Sequence, residues 1–470
     1  MSTKRRNSSH TAKSQPKPKG LTQHLLQQAT SNQLQTQISR LLQQGIAMHR
    51  QGQLSEALHC YQEILKLQAD HTDALNLIGV LALARGDLAT AIEFIQKSLR
   101  VNPDNVFAMN NLATAYRDAG RSDEAIPHLQ KAIKLKPDYA DAFCNLGSIY
   151  KDKLAFNEAE LHFKSAIKLN PEMVEAWHNL AQLYRKMRQL EPALACAKQA
   201  LVLQEGNADL HNSVANIYRD LGDHSAALSS YQRACEINPE LANAQHFVQV
   251  LSGANTEKAP ASYVSGVFDD YAENFDQHLT QVLNYQTPQL IAQSLRQVHQ
   301  DSPGLWQILD LGCGTGLVGQ YLAGIDCKLT GVDLSAKMLA KAKEKNVYHS
   351  LIQADISEAL AQQPNQHFQI VVAADVFVYL GKLDEIFAEV TRVLIDSGLF
   401  CFSIEDFASN SDDLDYQLQM SGRYAHNLNY IQKLAIKHNL RIAVSSPKVI
   451  RTENNQNING FLIYLQKIGS

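Results

Sequence analysis

The sequence predicts an α-solenoid followed by a doubly wound α/β domain, and two patterns support this prediction. The first is a repeat with a period of 34 residues in the amino-terminal half of the 470-residue chain. The second is a glycine-rich loop at residues 310–316, between a strand-like run and a helix-like run. A fixed period is typical of stacked repeats, and a strand, glycine turn and helix in succession are typical of cofactor loops in α/β sheets.

The repeat appears as three columns of residues, each in its own phase. The glycines let a first helix stop, the small alanines let two helices cross closely, and the prolines end the second helix. This pattern resembles the tetratricopeptide repeat, with six units over residues 40–243. Glycine is missing at Leu154 and Arg188 and proline at Ala69 and Glu205, which weakens individual turns without breaking the phase. The columns are Gly52, Gly86, Gly120, Gly222; Ala57, Ala91, Ala125, Ala159, Ala193, Ala227; and Pro103, Pro137, Pro171, Pro239.

The glycine loop closes a strand at Asp310 and continues through Gly312, Gly314 and Gly316. Glycines permit positive φ and let a ligand approach the backbone, and the following helix start offers free N–H groups. A dinucleotide fingerprint would place its third glycine one residue later. The run Asp-Leu-Gly-Cys-Gly-Thr-Gly instead resembles the first motif of class I S-adenosylmethionine-dependent methyltransferases. That resemblance implies a Rossmann-like, seven-stranded sheet ending in an antiparallel pair, with S-adenosylmethionine as the cofactor.

Four further residues are candidates for binding the cofactor. Asp333 ends the second predicted strand, where a carboxylate can accept both hydroxyls of a ribose, and Met338 offers a polarizable side chain to an adenine face. By the resemblance, Asp355 would bind the adenine amino group, although it could equally be a surface aspartate. Tyr271, with Phe275, would likewise cover the methionine end of the cofactor, or would only attach its helix to the sheet.

The acceptor site is predicted from two segments that should meet at the carboxyl edge of the sheet. Asp375 ends a continuous apolar run that predicts a buried central strand. The polar loop after Glu405 carries Arg423, Tyr424 and His426. Arginine can bind a carboxylate through two hydrogen bonds and histidine can accept a proton near neutral pH, so we expect these four residues to be catalytic, with no metal. For Arg423 or His426 taken singly, an exposed loop side chain is the alternative.

Composition limits the partners and the compartment. A net charge of −4 gives no reason to expect nucleic acid as a partner. The Asn-Pro-Pro-aromatic signature of amide methylation does not follow Asp375, and the Pro-Cys pair of cytosine methylation is absent from the sequence. Seven scattered cysteines favour reduced thiols in a cytoplasm over a structural zinc site. No apolar run approaches the roughly 20 residues of a membrane helix, and the basic first twenty residues lack the apolar core of a signal peptide.

The predicted domains are a basic, Gln-rich and largely disordered segment (1–39), six repeats with a capping helix (40–251), a linker (252–262) and the methyltransferase domain (263–470).

In the repeats, Asn111, Asn145 and Asn179 share one phase and should face the concave groove, where amides can pair with a peptide backbone. The alternative is that they hydrogen-bond within the array.

Most of the chain thus resembles bacterial tetratricopeptide-repeat proteins fused to a class I methyltransferase domain. That resemblance implies a methyltransferase whose repeats recruit a protein substrate or carrier. Two alternatives stay open at this point. One is an adaptor with a catalytically silent domain, and the other is an enzyme acting on a small carboxylic acid held by Arg423 or Arg451. The sequence does not predict the acceptor or the oligomeric state.

Overall fold

The chain forms two compact units, residues 1–204 and 205–470. In the first unit and the start of the second, nearly every helix pairs with its neighbour in the chain, as the 34-residue period predicts. The computed structural model describes residues 19–272, 275–277, 279–280, 283, 285–301, 304–407, 414–453 and 456–469. Most of the predicted basic tail lies outside the described residues, and the domain boundaries drawn from the sequence stay a prediction.

The repeat helices are 10 to 14 residues long after the long first helix. Their bounds are α1 (Lys19–Arg50), α2 (Leu54–Leu67), α3 (Thr72–Ala84), α4 (Leu88–Val101), α5 (Val106–Asp118), α6 (Ser122–Leu135), α7 (Ala140–Asp152), α8 (Phe156–Leu169), α9 (Val174–Lys186), α10 (Leu190–Leu203), α11 (Ala208–Leu221), α12 (His224–Ile237) and α13 (Ala242–Leu251).

The turns between paired helices keep one backbone conformation whether or not glycine is present. Gly52, Gly86 and Gly120 have φ of 74°, 74° and 72°. At the two positions that lack glycine, Leu154 and Arg188 adopt φ of 61° and 60°. A left-handed conformation costs about 1–2 kcal/mol for a residue with a Cβ. Packing of the helix pairs therefore imposes the turn, and the missing glycines change its energy without changing its shape.

The second unit contains a seven-stranded sheet with strand order β3-β2-β1-β4-β5-β9-β8. The first five strands are parallel, and β9 and β8 complete the sheet as antiparallel strands. This confirms the doubly wound fold. The strands are β1 (Trp306–Leu311), β2 (Cys327–Asp333), β3 (Ser350–Gln353), β4 (Phe368–Ala373), β5 (Leu394–Glu405), β6 (Tyr416–Leu418), β7 (Tyr424–His426), β8 (Leu440–Glu453) and β9 (Gln456–Lys467).

The sequence analysis treated the segment between β5 and the last helix as a loop, but the structure contains two short strands there. Strands β6 and β7 pair as a short antiparallel hairpin, residues 416–426, in a sheet of their own. The helices of this unit are α14 (Ala261–Tyr271), α15 (Phe275–Gln277), α16 (Thr287–Asp301), α17 (Leu317–Tyr321), α18 (Ala336–Glu344), α19 (Ile356–Gln362), α20 (Asp384–Val393) and α21 (Leu428–Lys437).

Strand β4 lies between β1 and β5 and is buried on both faces. Val371 packs in the cluster that includes Phe387 and Ile431, whereas Ile370 and Val372 pack in the cluster on the opposite face. Helices covering both faces leave only the strand ends open to a ligand, and parallel strands place their carboxyl ends at the same edge. No helix in the described part of the chain has the length and apolar character needed to span a membrane.

Candidate active site

The glycine loop has the backbone that its sequence predicts. Gly312, Gly314 and Gly316 have φ of 64°, 54° and 88°. A Cβ on Gly312 would lie 2.5 Å from Cγ2 of Val376, and one on Gly316 would lie 2.8 Å from the Tyr348 ring, so both positions need glycine for packing. At Gly314 the nearest atom would be in the Phe275 ring at 3.7 Å. Gly314 therefore leaves room beside the loop.

Asp333 ties the end of β2 to the glycine loop. One carboxylate oxygen accepts from the Gly314 N–H and the other from the Ser335 N–H, each at 2.8 Å. Burial raises the pKa of Asp333, and the backbone hydrogen bonds oppose that rise. Each carboxylate oxygen can accept more than one hydrogen bond, so the side chain can still receive ligand hydroxyls.

Asp310, at the end of β1, has one satisfied and one unsatisfied oxygen. The Tyr348 hydroxyl donates to Oδ2 at 2.7 Å, while Oδ1 has no hydrogen-bond partner among the described residues. The side chain is 1% exposed, and burial raises its pKa to about 7. A buried carboxylate oxygen without a donor costs free energy, about 1–3 kcal/mol or more. The position therefore favours a ligand that brings a cation or a donor.

Two aspartates ahead of the sheet contact this loop and the start of α18 through hydrogen bonds that sequence reasoning missed. Asp276 accepts from the Thr315 hydroxyl of the glycine loop and from Lys345 Nζ at 2.6 Å. Asp269, on α14, accepts from the Ser335 hydroxyl. The partner residues are 39 to 69 positions apart in the chain, and no local pattern marks such pairs.

The remaining predicted cofactor residues lie on this same side of the unit. Phe275 sits beside Gly314, and the Tyr271 ring packs edge-on against it with centroids 5.6 Å apart. Met338 is fully buried in α18. Asp355 caps α19 by accepting from the Ser357 N–H at 2.8 Å.

On the acceptor side, five charged residues form what we call the charged network: four at or just after the ends of β4, β5 and β8, and Arg423 immediately before β7. Arg451 is 1% exposed and donates to Asp375 at 3.1 Å, to Glu453 at 2.7 Å and to Glu405. Arg423 donates to Glu453 at 2.6 Å and lies 3.7 Å from Glu405. The structure therefore brings Arg423 and Asp375 together, as the sequence analysis expected, and adds Glu405, Glu453 and Arg451.

The charged network has one more carboxylate than guanidinium groups. Burial raises the pKa of Glu405 to about 8 and that of Asp375 to about 6, with Arg423 acting against both shifts. A buried cluster with an unbalanced carboxylate is a group that can take up one proton near neutral pH. This arrangement can accept a proton from a nucleophile bound at the sheet edge.

His426 and Tyr424 face a different environment from Arg423. His426 is fully buried, its Nε2 lies 3.1 Å from the Gly381 carbonyl oxygen, and its ring stacks with Tyr430 at 6.3 Å. The Tyr424 hydroxyl pairs with the Thr256 hydroxyl. Side chains alternate along a strand, so Arg423 turns to the charged network and these two residues turn away from it.

Burial lowers the pKa of His426 from 6.5 to about 4. An unfolded chain would therefore take up a proton on this histidine below about pH 6.5, while the folded chain would not until about pH 4. This histidine should make the stability of the unit fall as the pH is lowered through that range. Between pH 7 and pH 5 the loss should be about 2 kcal/mol more than in His426→Gln, a neutral variant with an N–H donor of similar reach.

Urea unfolding of the full chain measures this difference. The chain has two tryptophans, so a Trp177→Phe background leaves the fluorescence of Trp306, on β1, to report on the α/β unit alone. Equal acid sensitivity in His426→Gln and its parent would contradict the buried, neutral histidine.

Comparisons with known proteins identify the domains that carry these residues. A family model described as a methyltransferase domain matches residues 308–398, which include the glycine loop and Asp375 but not Arg423–His426. The chain therefore carries a methyltransferase domain. It is, further, a fusion of that domain to tetratricopeptide repeats, because models described as TPR repeat or tetratricopeptide repeat match residues 42–106, 94–126, 113–153, 140–173, 174–207 and 215–246.

Among curated relatives, a malonyl-[acyl-carrier protein] O-methyltransferase of Enterobacter lignolyticus is 33% identical over 21% of this chain and 38% of its own length. The human methyltransferase-like protein 27 is 30% identical over 32% of this chain and 60% of its own length. The chain thus spans between about two fifths and three fifths of these two relatives. A chain in the crystal structure of the APC/C hetero-tetramer Cut9-Hcn1 is 20% identical, with a TM-score of 0.43 over 46% of this chain and 42% of that one.

Proposed function

We propose that the protein is an S-adenosylmethionine-dependent methyltransferase whose repeats recruit a protein substrate or carrier. The observation that supports this most is the buried Oδ1 of Asp310, which has no partner among the described residues and lies at the end of β1 beside the glycine loop. An ammonium group, such as that of the methionine part of the cofactor, would satisfy this oxygen. The unsatisfied oxygen of Asp310 therefore fits the ammonium group of the cofactor.

The other cofactor residues divide the remaining contacts. Asp333 would hold the ribose hydroxyls while it keeps Gly314 in place, and Gly314 would let the cofactor approach the backbone. Met338 and Asp355 remain our candidates for the adenine end. Tyr271 and Phe275, in the segment bound to the loop through Asp276, would exclude water from the methionine end.

When bound, the cofactor supplies a sulfonium methyl group, and transfer is an in-line displacement that depends mainly on alignment. Positioning can contribute roughly 7–11 kcal/mol to such a step. We assign the acceptor side to Asp375 and Arg423, with Glu405 as the group that takes up the proton of the acceptor. His426 stays near this edge, but its bond to Gly381 supports a role in holding the hairpin.

The same network bears on the class of acceptor. A small carboxylic acid would need a guanidinium with free donors, yet Arg451 already donates to three carboxylates and Arg423 is paired with Glu453. An additional carboxylate would lie beside three carboxyl groups that already use these guanidinium donors, which is unfavourable in a buried site. This favours a neutral or protonated nucleophile over a carboxylate as the acceptor.

Asp333→Ala should weaken S-adenosylmethionine binding at least tenfold. Hydrogen bonds to a charged group are each worth about 1.5–3 kcal/mol, and this variant also releases the Gly314 N–H from its partner. Isothermal titration calorimetry measures the affinity, and circular dichroism checks the fold. Asp326→Ala, an exposed aspartate in the loop before β2, is the matched control. Unchanged affinity in a folded Asp333→Ala protein would remove this residue from the site.

Arg423→Ala should leave the affinity for S-adenosylmethionine nearly intact and lower methyl transfer by a factor on the order of 10²–10⁴, because orientation and proton uptake at the acceptor are lost. The assay follows radiolabel from S-adenosylmethionine into protein and small-molecule fractions of a cell extract. Arg441→Ala, an exposed arginine at the start of β8, controls for lost charge. Transfer by Arg423→Ala at the rate of the control would exclude a role for Arg423 in the reaction.

The recruitment role rests on the repeats, and the asparagine ladder is its most specific element. Asn111 donates to Asn76 at 3.1 Å and Asn145 donates to Asn110 at 2.8 Å, both across neighbouring repeats. Asn179 accepts from Lys151 at 3.0 Å. Each amide therefore has a partner inside the array, as the alternative interpretation required, and peptide binding depends on its remaining donors and lone pairs.

Changing Asn111, Asn145 and Asn179 together to alanine in the full chain should abolish capture of its partners in pull-downs if the ladder binds peptide backbone. The thermal midpoint of the variant shows how far the array itself is weakened, and Lys134→Ala, on the opposite helix of a repeat, controls for nonspecific effects. Recovery of the same partners by the triple variant would mean that the ladder serves only the array.

A further inference from the structure

Two contacts reach the hairpin (residues 416–426) from outside the segment predicted to be catalytic. The first comes from α13, the helix that follows the last repeat. His246 is fully buried, its Nε2 lies 2.8 Å from the Gly422 carbonyl oxygen, and its ring stacks on Tyr263 at 4.3 Å. A carbonyl oxygen only accepts, so Nε2–H donates. Burial lowers the pKa of His246, which favours the neutral ring with its proton on Nε2. Phe247 also packs against Gly422, since a Cβ on this glycine would lie 3.0 Å from the Cζ atom of the Phe247 ring.

The second contact comes from residues 255–259, which we call the strap. The side-chain amide of Asn255 donates to the Tyr416 carbonyl at 3.0 Å and accepts from the Leu418 N–H at 2.9 Å. It thereby pairs with β6 as a neighbouring strand would. At its other end the strap binds Tyr379, because the Ala259 N–H donates to the Tyr379 carbonyl at 2.9 Å.

The first contact ends next to Arg423, and the second holds β6, which is connected to Arg423 through the turn of the hairpin. Gly422 precedes it in the chain and has φ of 83°, a left-handed conformation that a side chain would strain. The Arg423 carbonyl accepts from the Gln419 N–H at 2.8 Å, which closes the turn. With the turn held by His246 and β6 held by Asn255, the start of the Arg423 side chain is fixed relative to Glu453 and Glu405. A displacement of about 1 Å at a reacting site can cost about 10²-fold in rate.

We propose that α13 and the strap form one wall of the acceptor site, and that His246 is a positioning residue acting through the Gly422 carbonyl on Arg423. The inference rests on the proposed methyltransferase function. It assigns this helix and strap a role in the reaction itself, separate from the recruitment assigned to the repeats.

Three variants and one control test the proposal in the full chain. His246→Leu removes the donor, His246→Gln keeps an N–H of similar reach, and Asn255→Ala removes the strap contact at an exposed position, where the fold should tolerate the change. Gln245→Leu changes the exposed side of the same helix. Hydrogen–deuterium exchange of the hairpin amides, with the amides of β4 as an internal reference, reports on how firmly the hairpin is held. Calorimetry with S-adenosylmethionine and label transfer into extract fractions report on function.

We expect His246→Leu and Asn255→Ala to increase exchange in the hairpin but not in β4. Label transfer should fall on the order of 10²-fold in His246→Leu, with S-adenosylmethionine affinity unchanged within about twofold. His246→Gln should recover most of the transfer, and Gln245→Leu should behave as the parent. A merely structural histidine would lower affinity and transfer together and increase exchange in β4 as well, which would overturn the proposal.

The outcomes separate this proposal from the function it rests on. If the parent protein neither binds S-adenosylmethionine nor transfers label, the proposed function fails, whatever the exchange data show. If the parent transfers label but hairpin exchange and transfer are unchanged in both His246→Leu and Asn255→Ala, the positioning role fails and the methyltransferase function stands.

Discussion

The buried guanidinium of Arg451 is the constraint on which the acceptor side of this molecule depends. A charge that is 1% exposed must be neutralised by groups brought to it, and here they come from the ends of three strands, β4, β5 and β8. Removing one partner of such an arrangement typically costs 3–5 kcal/mol, because another charge is left buried and unpaired. The antiparallel extension of the sheet is therefore part of the site, since β8 supplies the arginine that organises the carboxylates.

Two adjacent residues, Asp375 and Val376, join the charged network to the glycine loop. Asp375 takes a left-handed backbone with φ of 59°, and the next residue, Val376, fills the space where a side chain on Gly312 would stand. A strained aspartate is thus held between a network of ion pairs and a packed turn. The strained backbone of Asp375 is maintained by the contacts on either side of it, because relaxing this backbone would move Val376 away from Gly312.

Much of this architecture could be predicted because it depends on local patterns. The 34-residue period, the buried run of β4 and the acids at the ends of β1 and β2 all follow from periodicity and from the position of strand ends. Leu154 and Arg188 show where propensity fails, since packing imposes on them the conformation that glycine adopts in the neighbouring turns. The repeats and the seven-stranded sheet are confirmed, whereas the domain boundaries and the roles of individual site residues stay predictions.

The features that sequence reasoning missed are contacts between distant segments. Strands β6 and β7 have three residues each, too few for an alternating pattern to be seen. Tyr348 lies 38 positions from Asp310 and His246 lies 176 positions from Gly422. Nothing in the local sequence distinguishes these side chains from ordinary core residues, and only the fold shows their partners.

The contacts of Asp276 make part of the attachment of its segment sensitive to salt. Its carboxylate accepts a hydrogen bond from the Thr315 hydroxyl of the glycine loop and forms an ion pair with Lys345, which follows α18, so one side chain connects two separate parts of the unit. In this ion pair the side chains are 40% and 20% exposed, and such pairs weaken as dissolved salt screens their attraction. The attachment of Asp276 to Lys345 should therefore weaken as ionic strength rises, whereas its hydrogen bond to the Thr315 hydroxyl should depend less on salt.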